Sequence, residues 1–398
     1  MLTIRFENTE PEGIITQEFI RQIGDIPEIR KIEIEEGIVK IDEYAFTNYK
    51  NIKEIRLPES LIEIGQYAFY DCKCLRNINF GRNLERIGYR AFKSCILLDV
   101  IDFSLCPDCK IGTDVFSYCS SLSNVILPNN LEVIEQNLFN HCISLTNIEI
   151  PETISTIAGG AFQYCDNLES IYIPDNVIQI CAEAFSYCSG LTNVRLSRNL
   201  RVIEKFAFDH CESLVSMYVK REEFGKVIFP DSLEIIDNSA FRCCSEILMI
   251  RFSKYIQVIE FYAFDECLSL QTVIFDSDNH GLILRPTIFK NCDCLEYVLL
   301  PENIRPHNLF SVFEIPRYTF SSQPNSRIKN YIQEQLENKR VKEKFRNQKQ
   351  EFSEYLNPKL RHSLSFSIML SYMSDFNNTI DENIEYSRYH MIVETILS

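Results

Sequence analysis

The sequence predicts an α/β solenoid with a parallel sheet along one face and short turns of helix behind it, followed by a mostly helical C-terminal appendage. Three observations predict it. A phenylalanine, usually after Ala, returns at Phe46, Phe69, Phe92, Phe116, Phe139, Phe162, Phe185, Phe208, Phe241, Phe264 and Phe289, and eight of the ten intervals are 23 or 24 residues. An apolar run after each Phe ends in period-2 alternation, often closed by proline. Past about residue 325 the repeat gives way to a charged stretch with helical spacing. A fixed period of this length means stacked units, none of which can bury its own apolar face.

Around each Phe the pattern is Leu-x-x-Ile-x-x-x-Ala-Phe-x-x-Cys-x-x-Leu-x-x-Ile-x-Ile-Pro. One copy runs Leu61, Ile64, Ala68, Phe69, Cys72, Leu75, Ile78, Phe80, and another Ile154, Ile157, Ala161, Phe162, Cys165, Leu168, Ile171, Ile173, Pro174. The alternating end reads as a short strand buried on one face. Pro58, Pro128, Pro151, Pro174 and Pro301 stop that strand, because proline cannot donate to a ladder. Ala-Phe-x-x-Cys has helical spacing, with length for a turn or two. Stacking then predicts one parallel sheet with a continuous ladder behind it, to which Phe69, Phe92, Phe162, Phe185, Cys72, Cys95, Cys165 and Cys188 contribute. The expected organisation is an N-terminal cap and degenerate first repeat over 1–28, an array of eleven or twelve repeats over 29–301, a partial repeat or linker over 302–324, and a charged helical region over 325–398.

The unit resembles the leucine-rich repeat of the BspA-like class, also found in treponemal proteins. The resemblance covers about residues 20–301. It implies a leucine-rich-repeat fold and points to surface or adhesion proteins. The repeat itself does not carry that function.

Ten of the 16 cysteines stand three residues after the repeat Phe, a packing position for a small, weakly polar side chain. A ladder of equivalent thiols offers no unique disulfide pairing. The cysteines are therefore expected to be reduced, which points to a reducing compartment. Cys72-x-Cys74 and Cys292-x-Cys294 lie at opposite ends of the array and cannot share one zinc ion. Cys106-Pro107-Asp108-Cys109 falls in an irregular repeat, in a turn where no helix start would stabilise a thiolate, and reads as plain loop. No metal or other cofactor is expected.

Catalytic patterns are missing. There is no Gly-rich phosphate loop, no His-Glu-x-x-His and no Gly-x-Ser-x-Gly. His141–Cys142 and His210–Cys211 juxtapose a base and a thiol, but neighbours in a turn normally point apart. The reading is a non-enzyme that binds a protein ligand, expected as a monomer. A net charge of −16 argues against nucleic acid as the partner. No apolar run reaches the ~20 residues that span a bilayer. Met1–Glu7 shows no basic stretch leading into an apolar one, so the expected location is cytoplasmic, with surface display the alternative.

Function should lie where the repeat varies. The middle residue of each Ile-x-Ile points away from the core. Along the array these residues are Glu33, Arg56, Asn79, Asp102, Ile126, Glu149, Tyr172, Arg195, Tyr218, Arg251, Ile274 and Leu299. The second half, with Tyr172, Arg195, Tyr218, Arg251, Ile274 and Leu299, has the aromatic, Arg and apolar character of an interface and is the expected partner site. The ten extra residues between Phe208 and Phe241 map to Lys220–Phe229 and read as a tolerated loop. Residues 325–356 carry eight basic and five acidic side chains and are expected to dock on the acidic array. The alternative is an adaptor whose tail recruits or carries an activity.

Overall fold

The computed structural model describes residues 2–5, 13–23, 29–220, 226–276, 281–295 and 297–299. The expectations for 302–324 and 325–398, the helical appendage among them, lie outside these residues.

Most coils of the solenoid carry two short strands, each of which stacks in parallel onto its counterpart in the neighbouring coil. The first strand is the predicted one. Asn193–Arg195, for example, pairs with Ser170–Tyr172 on one side and Ser216–Tyr218 on the other, with Val194 buried between two outward residues. The second strand was not anticipated. It is formed by the two residues that end in the Ile of Leu-x-x-Ile, as in Glu63–Ile64, Gln179–Ile180 and Val202–Ile203. Two residues are too few to show an alternating pattern in sequence. Only coil-on-coil stacking makes them a ladder. Four sheets result, two from each ladder, because the first-strand ladder is interrupted between Ile126 and Ser170 and the second-strand ladder between Ile111 and Val133.

The predicted helical turn behind the sheet is absent. Two residues per coil adopt positive φ, such as Asn137 and His141 at 53° and 61°, or Glu183 and Tyr187 at 60° and 61°. One left-handed residue ends a right-handed helix, and two leave only turns. Backbone N–H groups of these turns bond to the next coil instead. Tyr164 N donates to Ser186 O at 2.9 Å and Phe162 N to Ala184 O at 2.8 Å. This third face is a ladder of turns, so the α/β expectation gives way to a parallel β-solenoid. Among the described residues the one α-helix is Gln17–Ile23, in the coil that opens the array. Thr16 Oγ1 caps it by accepting from Phe19 N, and its Ile20 is buried. Leu2–Ile4 and Ile14–Ile15 already pair with Lys31–Ile34 and Lys40–Ile41, so the strand ladders begin there.

The core is the predicted ladder. The eleven repeat phenylalanines stack from Phe46 to Phe289 with centroids 5.0–6.0 Å apart and nearly parallel planes. Each ladder thiol donates to the carbonyl of the Phe one coil back, as Cys72 to Phe46, Cys95 to Phe69, Cys165 to Phe139 and Cys188 to Phe162. The ten distances run from 3.1 to 3.3 Å. All 16 cysteines are free.

These thiols do not report the compartment. Burial pushes Cys72, Cys95, Cys165 and Cys188 far above the ordinary thiol range, so they carry almost no thiolate, the species that oxidises. A buried, hydrogen-bonded thiol survives in oxidising surroundings as well. The step from reduced cysteines to a cytoplasmic location therefore fails.

Candidate functional site

The outward residues of the first strands form two rows that share one face. In the first, Glu33 lies beside Arg56, Arg56 beside Asn79, and Asp102 beside Ile126. In the second, Tyr172, Arg195 and Tyr218 are consecutive neighbours, as are Arg251, Ile274 and Leu299.

The insertion joins the two groups. Val227–Ile228 is an extra strand, not a loop. Val227 pairs with Met217 on one side and Ile250 on the other, and Ile228 beside Arg251. That puts Ile228 into the outward row between Tyr218 and Arg251. Ile228 is not legible in the sequence, because the insertion sits off the 23-residue register. Behind it nothing is inserted: Val202–Ile203 pairs directly with Ile235–Ile236, and the Phe208 and Phe241 rings lie 5.2 Å apart. The strand-bearing face is thus one strand wider here than the ladder behind it.

Exposure divides the row. Tyr172 is 46% exposed, Ile126 44% and the adjacent Leu248 50%, while Tyr218, Ile228 and Arg251 are half-buried. Ile274 and Leu299, expected to face outward into a contact, are 1% and 3% exposed. On the strand Thr272–Phe275 all four residues are buried, against the alternation seen in earlier coils. The accessible patch therefore runs from Ile126 to Arg251.

Both arginines are held in place. The Arg195 guanidinium lies 4.6 Å over the Tyr172 ring. Its Nη1 donates to Asp175 Oδ1 at 2.6 Å and to Ile173 O at 2.9 Å. Asp175 also pairs with Arg198 at 3.4 Å. The Arg195 hydrogen bond, helped by the backbone N–H of Arg198, holds the Asp175 carboxyl below its ordinary range. Arg251 forks onto both oxygens of Asp276 at 3.1 and 3.4 Å. Side chains fixed before binding lose less entropy when a partner arrives.

The turn face carries its own array, also unanticipated. Tyr118, His141, Tyr164, Tyr187 and His210 stack in sequence with centroids 4.2–4.6 Å apart. All five have positive φ, between 57° and 62°. Non-glycine residues pay a strain cost there that ring stacking offsets. The arrangement also separates each His from its neighbouring thiol. His141 Nδ1 lies 2.6 Å from Asn140 Oδ1 while Cys142 donates to Phe116 O, and Cys211 donates to Phe185 O. Neither pair is a base and nucleophile.

Among the described residues no cluster of three His, Cys, Asp or Glu side chains is arranged to hold a metal ion, and no helix is long and apolar enough to cross a membrane. The sequence profile of the BspA type leucine-rich repeat region matches residues 22–105, 109–223 and 216–338. The chain belongs to this family. The BspA-type array resembles several solved bacterial proteins. A leucine-rich repeat protein from Bacteroides ovatus is 24% identical with a TM-score of 0.45, covering 72% of this chain and 82% of that one. A leucine-rich cell surface protein from Faecalibacterium prausnitzii is 22% identical with a TM-score of 0.41, covering 72% and 91%. The pneumococcal vaccine antigen PcpA is 18% identical with a TM-score of 0.45, covering 72% and 75%. No curated protein matches the chain.

Proposed function

We propose that this BspA-type solenoid is a non-catalytic scaffold that binds a protein on the outer face of its first strands, between Ile126 and Arg251. The supporting observation is a continuous row of Tyr172, Arg195, Tyr218, Ile228 and Arg251, one side chain per strand, with both arginines held by Asp175 and Asp276. Aromatic and Arg side chains fixed in place with exposed apolar neighbours are the usual makings of a binding hot spot. Buried ladder thiols are compatible with display at a cell surface, the setting that the family resemblance favours.

A photo-crosslinking residue tests this reading. Placed at Tyr172 or Leu248, it is expected to give a discrete protein adduct that excess unlabelled protein competes away. Placed at Asn79 in the polar half of the face, it should give none. Adducts formed equally at both ends, or only from the turn face at Tyr187, would move the ligand elsewhere.

A further inference from the structure

We propose that the array carries a built-in hinge between the coil of Phe116 and the coil of Phe139, closed at the turn face and opening at both strand faces. Three series of backbone hydrogen bonds, each repeated from coil to coil, locate it. Beside the first strands, Asp99 N donates to Arg76 O and Ser123 N to Asp99 O, and later Glu169 N to Thr146 O and Thr192 N to Glu169 O. Between them no bond joins Thr146 to Ser123. Residues 147–150 form no strand, and the Glu169 bond ties them to the later coils. At the second strands, Glu85 N donates to Ile62 O and Lys110 N to Glu85 O, and the series resumes with Ser155 N to Glu132 O. Just beyond, Gly88 donates to Ile64, Gly112 to Ile87 and Ala158 to Ile134, whereas Glu135 makes no such bond to Ile111. In all three series the broken link falls at the same junction.

The turn face stays closed there. Asp114 N donates to Gln136 O at 2.9 Å, Phe116 N to Leu138 O at 3.1 Å and Tyr118 N to Asn140 O at 2.7 Å. The junction is therefore a wedge. On its outer side the Tyr118 and His141 rings lie 4.2 Å apart, the tightest step of the turn-face stack. In the core the Phe116 and Phe139 rings lie 6.0 Å apart, the widest step of the Phe ladder, where most steps are 5.0–5.5 Å.

The sequence supplies the cause. The residue before the repeat Phe is Ala in eight of the eleven coils, but Val115 and Leu138 take that place in these two consecutive coils. Both are fully buried. A larger side chain in a packed core moves the backbone around it. One residue latches the wedge at the loop that joins the two strand faces. Asn130, leading into the Phe139 coil, donates through its side chain to Asp108 Oδ1 at 2.6 Å and through its N–H to Pro107 O at 3.1 Å. Opening swings Asn124–Ile126 away from Ser170–Tyr172, so it resets the spacing of Ile126 and Tyr172 while leaving each row intact. A few residues absorbing the motion between two stacked bodies is how hinges generally work.

Pulsed dipolar spectroscopy on the full-length chain tests this, with spin labels on non-natural residues so that the native cysteines stay untouched. Labels at Arg76 and Glu169 stand beside strands four steps apart across the junction, and labels at Glu169 and Leu248 beside strands four steps apart within the second half. Stacked strands place both pairs ~19 Å apart at the backbone. The Glu169–Leu248 pair should give one narrow distance. The Arg76–Glu169 pair should give a broader distribution that reaches about one strand spacing, ~5 Å, further. Asn130→Ala should enlarge the longer population. Val115→Ala with Leu138→Ala, which restores the usual residue of the repeat, should remove it. Equal widths for the two pairs in wild-type protein overturn the hinge, even where a variant misfolds. A broad distribution that neither variant moves overturns the wedge and the latch. No binding partner enters the measurement, so its outcome is independent of the proposed binding face.

Discussion

The Phe ladder and the outward row of the first strands share one period and one set of coils, yet they repeat different things. The ladder repeats chemistry: the same ring and the same thiol occur in coil after coil, each bonded to the coil before. The row repeats only position, running from Glu33 and Arg56 to Tyr172, Arg195 and Tyr218. A side chain in the ladder must fit against copies of itself above and below, so its identity is constrained in every coil. A side chain in the row meets solvent on its far side and is free to vary. In a repeat protein the periodic residues therefore build the scaffold, and departures from the period indicate where it acts.

Ladder substitutions should break that contrast most severely. Phe162 is fully buried between Phe139 and Phe185 at 5.5 and 5.2 Å. Phe162→Ala should cost about 3–5 kcal/mol in a urea melt, the scale of a large aromatic cavity. If it costs no more than Tyr172→Ala, the ladder is not what holds the coils together.

Double substitution of the row should do the converse. Tyr172→Ala with Tyr218→Ala is expected to weaken binding to the crosslinked partner by about 2 kcal/mol or more, measured by calorimetry, with a far smaller shift in melting temperature. Binding that survives while the fold loosens would make these rings structural.

Cys165→Ala should fall lower on the scale, at about 1–2 kcal/mol, since it leaves the Phe139 carbonyl with one buried donor fewer. On the same logic, a thiol reagent should reach the exposed Cys294 at once and the ladder thiols only as the protein unfolds, with all 16 released on denaturation of reduced protein.

The smallest effect concerns acid. Because Asp175 sits below its ordinary range in the folded state, the stability it contributes is fully present above the unfolded value of about 4. It is lost as pH falls through the lowered folded value. A partly exposed pair of this kind is worth at most about 1 kcal/mol. Asp175→Asn should flatten that acid limb, and it should also loosen Arg195 and weaken partner binding. An unchanged acid limb would mean that Arg195 is held by Tyr172 and Ile173 alone.

By itself the sequence determined the repeat, its family, the Phe and Cys ladder and the outward residues of the first strands as far as Arg251. All of these follow from residue type recurring at a period, and alternation along a strand is a local rule. Tertiary structure alone decided the rest. The two-residue strands such as Glu63–Ile64 exist only through their neighbours in the adjoining coils. The turn face replaced a helix because its N–H groups found carbonyls one coil away, with backbone angles that no propensity favours. Val227–Ile228 became a strand since Met217 and Ile250 offered it unpaired edges, and the burial of Ile274 and Leu299 reversed an alternation that was locally sound. Each such feature depends on a contact roughly one coil or more away in the chain, beyond the reach of any local pattern.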